Sequence, residues 1–398
     1  MPRVLRIINR FNIGGPTYNA AILTKHLNKK YETKLIGGVH QASENSSNYI
    51  LENLGVEGEL VHSMKRELKP IGDRAAYKEI KKIIKSYQPD IIHTHASKAG
   101  AIGRTAGIQY GKAKMVHTFH GHVFHSYFGR FKSNAYKTIE RGLAKKTDKI
   151  IAISDLQKDE LVNKYNICSA EKAVVIPLGF DLEQFYTDSE SKRILFRTKY
   201  DLDDDEIAIG IISRLTAIKN HELFLNAFES AQKNSSKKIC AFIIGDGEDK
   251  EKLIEHCKLL NLSYTTNSYQ EQQTTPKADV HFTSWIKFMD IAYAGLDIVA
   301  LSSNNEGTPV SLIEAQASSK PIVSTEVGGI ADIVKRDETA LLSAAEDLEA
   351  FSTNLLKLIN NSALRSSLSQ NSKDFVAEQF HYKRLVNDIK ILYDTILS

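Results

Sequence analysis

Short runs of β-branched and aliphatic residues alternate along the chain with longer stretches whose apolar positions recur every three or four residues. In the first half, residues 4–8, 33–36, 90–93, 115–118 and 149–153 read as strands. Residues 207–212, 239–244, 297–301 and 321–324 form a second series, again with helical patterns between them. Strands that alternate with helices in this way build parallel sheets covered on both faces. The pattern predicts an α/β protein with two doubly wound sheets.

The boundary between the halves follows from where the pattern breaks. Ile176-Pro177-Leu178-Gly179 interrupts it, a polar stretch runs over 181–197, and 201–206 is turn-like. This places one domain at 1–178 and a second at 179–380. In the final segment, 381–398, Leu385, Ile389, Leu392 and Ile396 lie at helical spacing. One face of that helix should be buried, and by pattern it could pack on either domain, including back on the first.

Composition narrows the class. A chain of 398 residues exceeds what one hydrophobic core usually supports. A net charge of +4, from 52 basic and 48 acidic residues, gives no ground for a nucleic-acid partner. Cys168, Cys240 and Cys257 are an odd number without metal-ligand spacing, which suits free thiols in a reducing cytoplasm. The N-terminus interleaves Arg3, Arg6 and Arg10 with apolar residues and reads as a buried strand, not a leader. No stretch approaches the roughly 18 to 20 apolar residues of a membrane-spanning helix. The expected location is cytoplasmic, with any membrane contact peripheral and at the inner face.

Candidate chemistry gathers where strands end. Gly14-Gly15 follows the first strand and precedes a helix, a place where backbone can approach a phosphate. It is neither the dinucleotide fingerprint nor a P-loop, so dehydrogenase and NTPase readings lose their main support. Arg214 leaves the 207–212 strand and Lys219 stands just before the next helix. Two cations at the carboxyl edge of a parallel sheet suit an anionic ligand. Further on, Asn304-Asn305-Glu306-Gly307-Thr308-Pro309-Val310-Ser311-Leu312-Ile313-Glu314 reads as a loop entering a helix. Thr308 is the expected N-cap and Pro309 the first helical residue. A phosphate at this helix start would have a carboxylate on either side, Glu306 and Glu314, to accept sugar hydroxyls. As a glycosidase pair these two fail: eight helical steps put them about 12 Å apart along the axis. Such pairs need roughly 5 Å or roughly 6.5 to 9.5 Å.

Gly14-Gly15, His120-Gly121, Arg214 with Lys219, Gly245-Asp246-Gly247, the Glu306-x(7)-Glu314 segment and Val327-Gly328-Gly329, in this order, resemble glycosyltransferase family 4 over nearly the whole chain. The resemblance implies a GT-B fold, two Rossmann-like domains facing a central cleft. It also implies transfer with retained anomeric configuration and no required metal or other cofactor, the nucleotide sugar being a substrate. Carried over, Arg214 and Lys219 neutralise the donor diphosphate, Glu306 holds sugar hydroxyls and Glu314 the ribose. Gly307, Thr308, Pro309 and Val310 supply contacts along the backbone, Gly14 and Gly15 approach from the first domain, and His120 sits by the reacting sugar. Two departures touch the nucleoside side: Ser318-Ser319 replaces a common Ala-Gly pair, and Ser284 stands where glycine is frequent.

Three other clusters carry weaker signals. His117, His120, His122 and His125, with His93 and His95, attract a metal reading by spacing. A strand running into a loop turns such side chains to opposite faces, so no metal is expected. Asp203-x-Asp205 mimics a metal-binding motif but reads as a solvated turn. Arg130, Lys137, Arg141 and Lys145 share one helix face near Tyr127, Phe128 and Phe131, an arrangement compatible with an anionic membrane or a lipid diphosphate.

The expected function is a retaining, metal-independent hexosyl- or N-acetylhexosaminyltransferase. It would use a UDP-sugar such as UDP-GlcNAc or UDP-glucose and a hydroxyl acceptor, lipid-linked acceptors included, in polysaccharide, glycolipid or other cell-surface glycan synthesis. The rivals are a phosphorylase or hydrolase of the same fold and a non-catalytic nucleotide-sugar-binding subunit.

Overall fold

Ile207–Ile212 and Ile239–Ile244 have almost no polar side chain, and in the computed structural model every residue of both strands is buried. That is what a strand covered by helices on both faces requires. The structure describes residues 1–11, 15–39, 48–65, 67, 69–120, 130–271 and 274–398, with side chains left out at 48–50 and 130–133. The chain divides into two units, Met1–Phe180 with Gln379–Ser398, and Asp181–Glu378.

The first unit holds strands β1 (Arg3–Arg10), β2 (Glu32–Gly38), β3 (Gly58–Val61), β4 (Ile91–His95), β5 (Lys114–Thr118), β6 (Lys149–Ala152) and β7 (Ala173–Val175). They form one parallel sheet in the order β3-β2-β1-β4-β5-β6-β7. Alternate side chains of each strand feed two cores. Leu5, Ile7 and Ile92 pack with Ile80 and Ile84 of the helix Pro70–Tyr87. Val4 and Ile91 pack with Leu385, Ile389, Leu392, Tyr393 and Ile396 of the last helix, Tyr382–Leu397. Arg384 anchors that helix by donating to the carbonyls of Pro177 and Leu178, each at 2.7 Å. The last helix is therefore part of the first unit's core.

The second unit holds β8 (Ile207–Ile212), β9 (Ile239–Ile244), β10 (Tyr264–Thr265), β11 (Val280–Phe282), β12 (Ile298–Leu301), β13 (Ile322–Thr325) and β14 (Ala340–Ser343). Its parallel order is β10-β11-β9-β8-β12-β13-β14. In each sheet the strand order reverses at one place, β1/β4 in the first and β8/β12 in the second. At such a switch point the loops leaving neighbouring strands diverge and leave a crevice at the carboxyl edge. Among the described residues no helix is long and apolar enough to cross a membrane.

Candidate active site

The carboxyl edge of the second unit brings together most of the residues singled out by sequence. After β8 the chain forms a short turn, Ala217–Lys219, and then the helix His221–Asn234, capped by the Asn220 side chain, which accepts from the Leu223 amide at 3.3 Å. After β12, Ser302 donates to the carbonyls of Lys219 (3.1 Å) and Asn220 (2.8 Å), and the Asn304 amide donates to Ile218 O at 2.8 Å. These bonds sew the two loops of the switch point together and fix where Lys219 points. Lys219 Nζ donates to Glu306 Oε1 at 2.5 Å, and Ser303 Oγ donates to the same oxygen at 2.6 Å. The ion pair is largely sheltered, with side-chain exposures of 16% for Lys219 and 8% for Glu306, so water screens it far less than a surface pair. Arg214 is exposed at the same edge.

Two glycine segments hold this edge by close backbone approach. At Gly328, φ is +54°, and a Cβ there would overlap the Glu306 carbonyl, while one at Gly329 would overlap the Gly307 carbonyl. The Gly329 amide donates to Glu306 O at 3.3 Å, so Val327-Gly328-Gly329 is the floor under the Glu306 loop. Gly245 and Gly247 play the same part beside Arg214. A Cβ at either would overlap the carbonyl of Ser213 or Leu215, and the Leu215 amide donates to Asp246 O at 3.0 Å.

The helix after Glu306 begins one residue later than the capping pattern predicts. It spans Val310–Ala317, with Pro309 at the N-cap in extended backbone (φ −70°, ψ 105°) and no side-chain cap. Thr308 is thus not the cap and Pro309 not the first helical residue. Gly307 has open space where a Cβ would lie, and the amides that open a helix lack acceptors one turn back, although that of Leu312 donates to Pro309 O at 3.2 Å, so a ligand can reach backbone here. Glu314 is not a freely solvated side chain: Tyr293 OH donates to its Oε2 at 3.1 Å and lies 2.9 Å from Ser311 O. Burial pushes the Glu314 carboxyl up to about 7, with the Tyr293 hydroxyl opposing. Sequence reading passed over Trp285, the one tryptophan, which is 41% exposed just beyond β11. Its ring edge lies 3.6 Å from the position a Cβ would take on Gly245. An exposed aromatic at the ligand edge of a parallel sheet is the signal that could have found it.

The corresponding edge of the first unit carries neutral histidines. Gly15 opens the helix Gly15–Leu27, while Gly14 lies outside the described residues. His120 Nε2 shares a hydrogen bond with His95 Nδ1 at 2.9 Å, and His95 stacks on His93 at 4.2 Å. His93 is satisfied at both nitrogens, by Tyr393 OH (2.7 Å) and Thr118 Oγ1 (2.8 Å). His117 turns away to Thr94 Oγ1 at 2.8 Å. Burial holds the His120 imidazole down to about 3 and those of His93, His95 and His117 well below their usual range. Among the described residues, His95 Nε2 and His120 Nδ1 are shielded without a hydrogen-bond partner. Among the described residues no three His, Cys, Asp or Glu side chains gather as metal ligands. His122 and His125 lie outside those residues, as do Gly121, Tyr127 and Phe128.

The basic helix face is less free than its spacing implies. On the helix Arg130–Lys145, Arg141 donates to Asn166 O (3.1 Å) and Tyr165 O (2.6 Å), and Lys137 Nζ lies 4.4 Å from the Tyr165 ring centre. Asp203, read as a solvated turn, pairs with Lys238 at 3.0 Å and Lys277 at 3.1 Å.

Comparison with known proteins shows which family the chain belongs to. The model of Glycosyltransferase Family 4 matches residues 13–184, and that of Glycosyl transferases group 1 matches residues 192–375. The chain is 28% identical to the Escherichia coli UDP-Gal:alpha-D-GlcNAc-diphosphoundecaprenol alpha-1,3-galactosyltransferase over 84% of its own length and 82% of that protein's. It is 25% identical to the Staphylococcus aureus capsular polysaccharide biosynthesis glycosyltransferase CapM over 86% of this chain and 87% of that one. Among solved structures, a glycosyltransferase from Rickettsia africae superposes with a TM-score of 0.78 at 19% identity, covering 100% of this chain and 99% of the other. Anabaena HepE in complex with UDP superposes with a TM-score of 0.78 at 17% identity, covering 99% and 100%.

Proposed function

Because the chain belongs to the GT4-type glycosyltransferases of the GT-B fold, we propose that it moves a hexosyl or N-acetylhexosaminyl group from a UDP-sugar to a hydroxyl of a lipid-linked saccharide, with retention and without a metal. The observation that carries this reading is the sheltered Lys219–Glu306 pair at the β8/β12 switch point, beside an exposed Arg214 and an open helix start. A donor diphosphate there meets two cations and the positive end of a helix, which is charge compensation that other enzymes draw from a divalent ion. Trp285 offers a face for the base, Glu314 accepts from the ribose, and Glu306 accepts from hydroxyls of the transferred sugar.

In the reaction the bond from the anomeric carbon to the β-phosphate oxygen breaks, and the acceptor oxygen forms the new bond on the same face. The acceptor proton passes to the departing phosphate oxygen. Negative charge grows on that oxygen as the bond lengthens, so Lys219 and Arg214 stabilise the transition state more than the bound donor. The neutral histidines of the first unit suit hydroxyls rather than phosphates, which favours that unit for the acceptor. Support for UDP comes from the E. coli relative, a UDP-Gal-dependent transferase, and from HepE, solved in complex with UDP; support for a lipid diphosphate acceptor comes from the E. coli relative. Lys137 and Arg141 are held within their own unit, so membrane contact is proposed to come through the acceptor lipid rather than through that helix face.

The test is release of UDP from a panel of UDP-sugars with an undecaprenyl-diphosphate saccharide as acceptor, in the presence of EDTA. The expected result is acceptor-dependent UDP release with an unchanged anomeric configuration in the product. Activity abolished by EDTA and restored by magnesium or manganese would contradict the metal-free reading. Binding of UDP with no transfer to any acceptor would favour the non-catalytic subunit.

A further inference from the structure

On the helix Ser362–Phe380, the residues Ser362, Arg365, Ser366, Ser369, Gln370 and Lys373 recur at three- and four-residue intervals and share one face. That face does not join the core. It lines an open groove of about 610 Å³, bordered on its other side by the segments that lead into β12 and β13. The cavity stands at the amino-terminal edge of the second sheet. The Lys219–Glu306 site stands at the opposite edge, beyond the four residues of β12, roughly 13 Å at 3.3 Å per residue.

Among the described residues, no carboxylate lies within ion-pair distance of the cavity's three lining cations. Lys320 Nζ donates to Ala294 O at 3.0 Å. Arg365 Nη1 donates to the carbonyls of Leu358 (2.5 Å) and Ile359 (2.9 Å), which finish the preceding helix. Lys373 Nζ lies 5.1 Å from the centre of the Tyr186 ring. Of the two lining carboxylates, Asp297 is already claimed by Arg193 (2.8 Å) and Arg197 (3.2 Å) and accepts the Ala208 amide at 2.9 Å. Asp374 is the other. Three lining cations therefore face two lining carboxylates, with Arg193, Arg197 and Glu190 behind them. Burial also holds the Lys320 ammonium down to about 8, with Asp297 and Glu190 opposing and the two arginines reinforcing, so its charge stands at a cost that a bound anion would offset.

We propose that this cavity is a second ligand site, separate from the donor site, which binds a phosphate dianion, either the monoester group of a sugar phosphate or free phosphate. A dianion suits a guanidinium fork and two ammonium groups together, whereas a single carboxylate would leave cations unanswered. The serine hydroxyls and the Gln370 amide can donate to phosphate oxygens, and Asp374 can accept from a sugar hydroxyl. The volume falls in the range of small-molecule pockets, roughly 300 to 1,000 Å³.

The experiment is calorimetry on the full chain with a hexose 6-phosphate, with inorganic phosphate and with the unphosphorylated hexose, each in the absence and presence of saturating UDP. The hexose phosphate should bind in both conditions, and Lys320→Gln and Lys373→Gln should each weaken it roughly tenfold, the usual effect of losing one charged hydrogen bond. Lys373 is exposed, so its variant remains informative if Lys320→Gln folds poorly. Equal binding of inorganic phosphate would support the site and assign it to free phosphate. The proposal is overturned if neither phosphate probe binds at millimolar concentration, if UDP displaces them, if the bare hexose binds as well, or if both variants bind like the parent. UDP affinity measured in the same samples shows separately whether the donor site is sound.

Discussion

The two units share a central strand order, β2-β1-β4-β5 in one and β9-β8-β12-β13 in the other, yet their carboxyl edges carry opposite chemistry. The first presents imidazoles that burial keeps neutral, joined in the sequence Tyr393, His93, His95, His120 by two hydrogen bonds and a ring stack. The second presents a sheltered ion pair, an exposed arginine and a helix start. A fold of this type supplies a crevice, and the side chains just past the strands decide what enters it. The comparison assigns phosphate to the second edge and hydroxyls to the first, and it can be broken at several points.

The largest effect belongs to the charges of the second edge. Lys219→Ala and Arg214→Ala should each lower single-turnover rates on the order of 10²- to 10³-fold, because each removes a preplaced partner of the leaving group. Removing both should cost less than the product of the single losses, since both act on one diphosphate. Near-normal rates in folded variants would mean that this edge does not hold the leaving group.

Acid should separate the units next. His93, His95, His117 and His120 of the first unit have imidazoles held below their unfolded value of about 6.5, so the unfolded chain takes up protons that the folded unit refuses. Stability contributed by these groups is complete above pH 6.5 and falls as pH drops below it, by up to about 2 kcal/mol per histidine at pH 5. In the second unit His221 and His281, both lowered to about 4, act with the same sign. Glu314, raised to about 7, acts with the opposite sign between pH 7 and its unfolded value of 4.5. Hydrogen exchange at pH 7 and pH 5 should therefore show protection lost mainly in the strands of the first unit. Equal loss in both units would contradict the neutral-histidine account.

Glu306→Gln sharpens the comparison within the second edge. The substitution keeps a hydrogen-bond acceptor but releases the Lys219 charge from its carboxylate. UDP should bind more tightly while turnover falls roughly tenfold, as expected for the loss of a charged hydrogen bond to the sugar. Weaker UDP binding would show that Glu306 serves the diphosphate by aiming Lys219. The smallest effect is expected at the first edge. His95→Phe removes the bond to His120 and should lower turnover about fivefold with UDP affinity unchanged, and His95→Asn, whose amide can replace Nδ1, should restore most of it. No recovery in His95→Asn would reduce His95 to a packing role.

How much of this was legible in the sequence depends on the length of each signal. β8 and β9 were read to their ends because six consecutive buried residues leave no other periodicity. β7, β10 and β11, of two or three residues each, are shorter than any window in which alternation can be counted, and they were missed; β3 and β14, of four residues, were missed too, although β6, β12 and β13 of the same length were read. Arg214, Lys219, Glu306 and Glu314 were reached through motif order. The bonds that aim them were not, because Ser302, Ser303 and Tyr293 matter only through the register of strands far apart in sequence. The His95–His120 bond is of the same kind, since it depends on β4 lying beside β5. The Thr308 cap failed for a local reason: Pro309 takes extended backbone, which delays the helix by one residue.

The central claim is that the second unit's edge grips the donor through its diphosphate. It is tested most directly by calorimetry of UDP and of uridine on the parent chain and on the Arg214→Ala, Lys219→Ala double variant. The account predicts that the parent prefers UDP to uridine by a wide margin, that this margin collapses in the double variant, and that uridine affinity hardly changes. A margin that survives removal of both cations would contradict it.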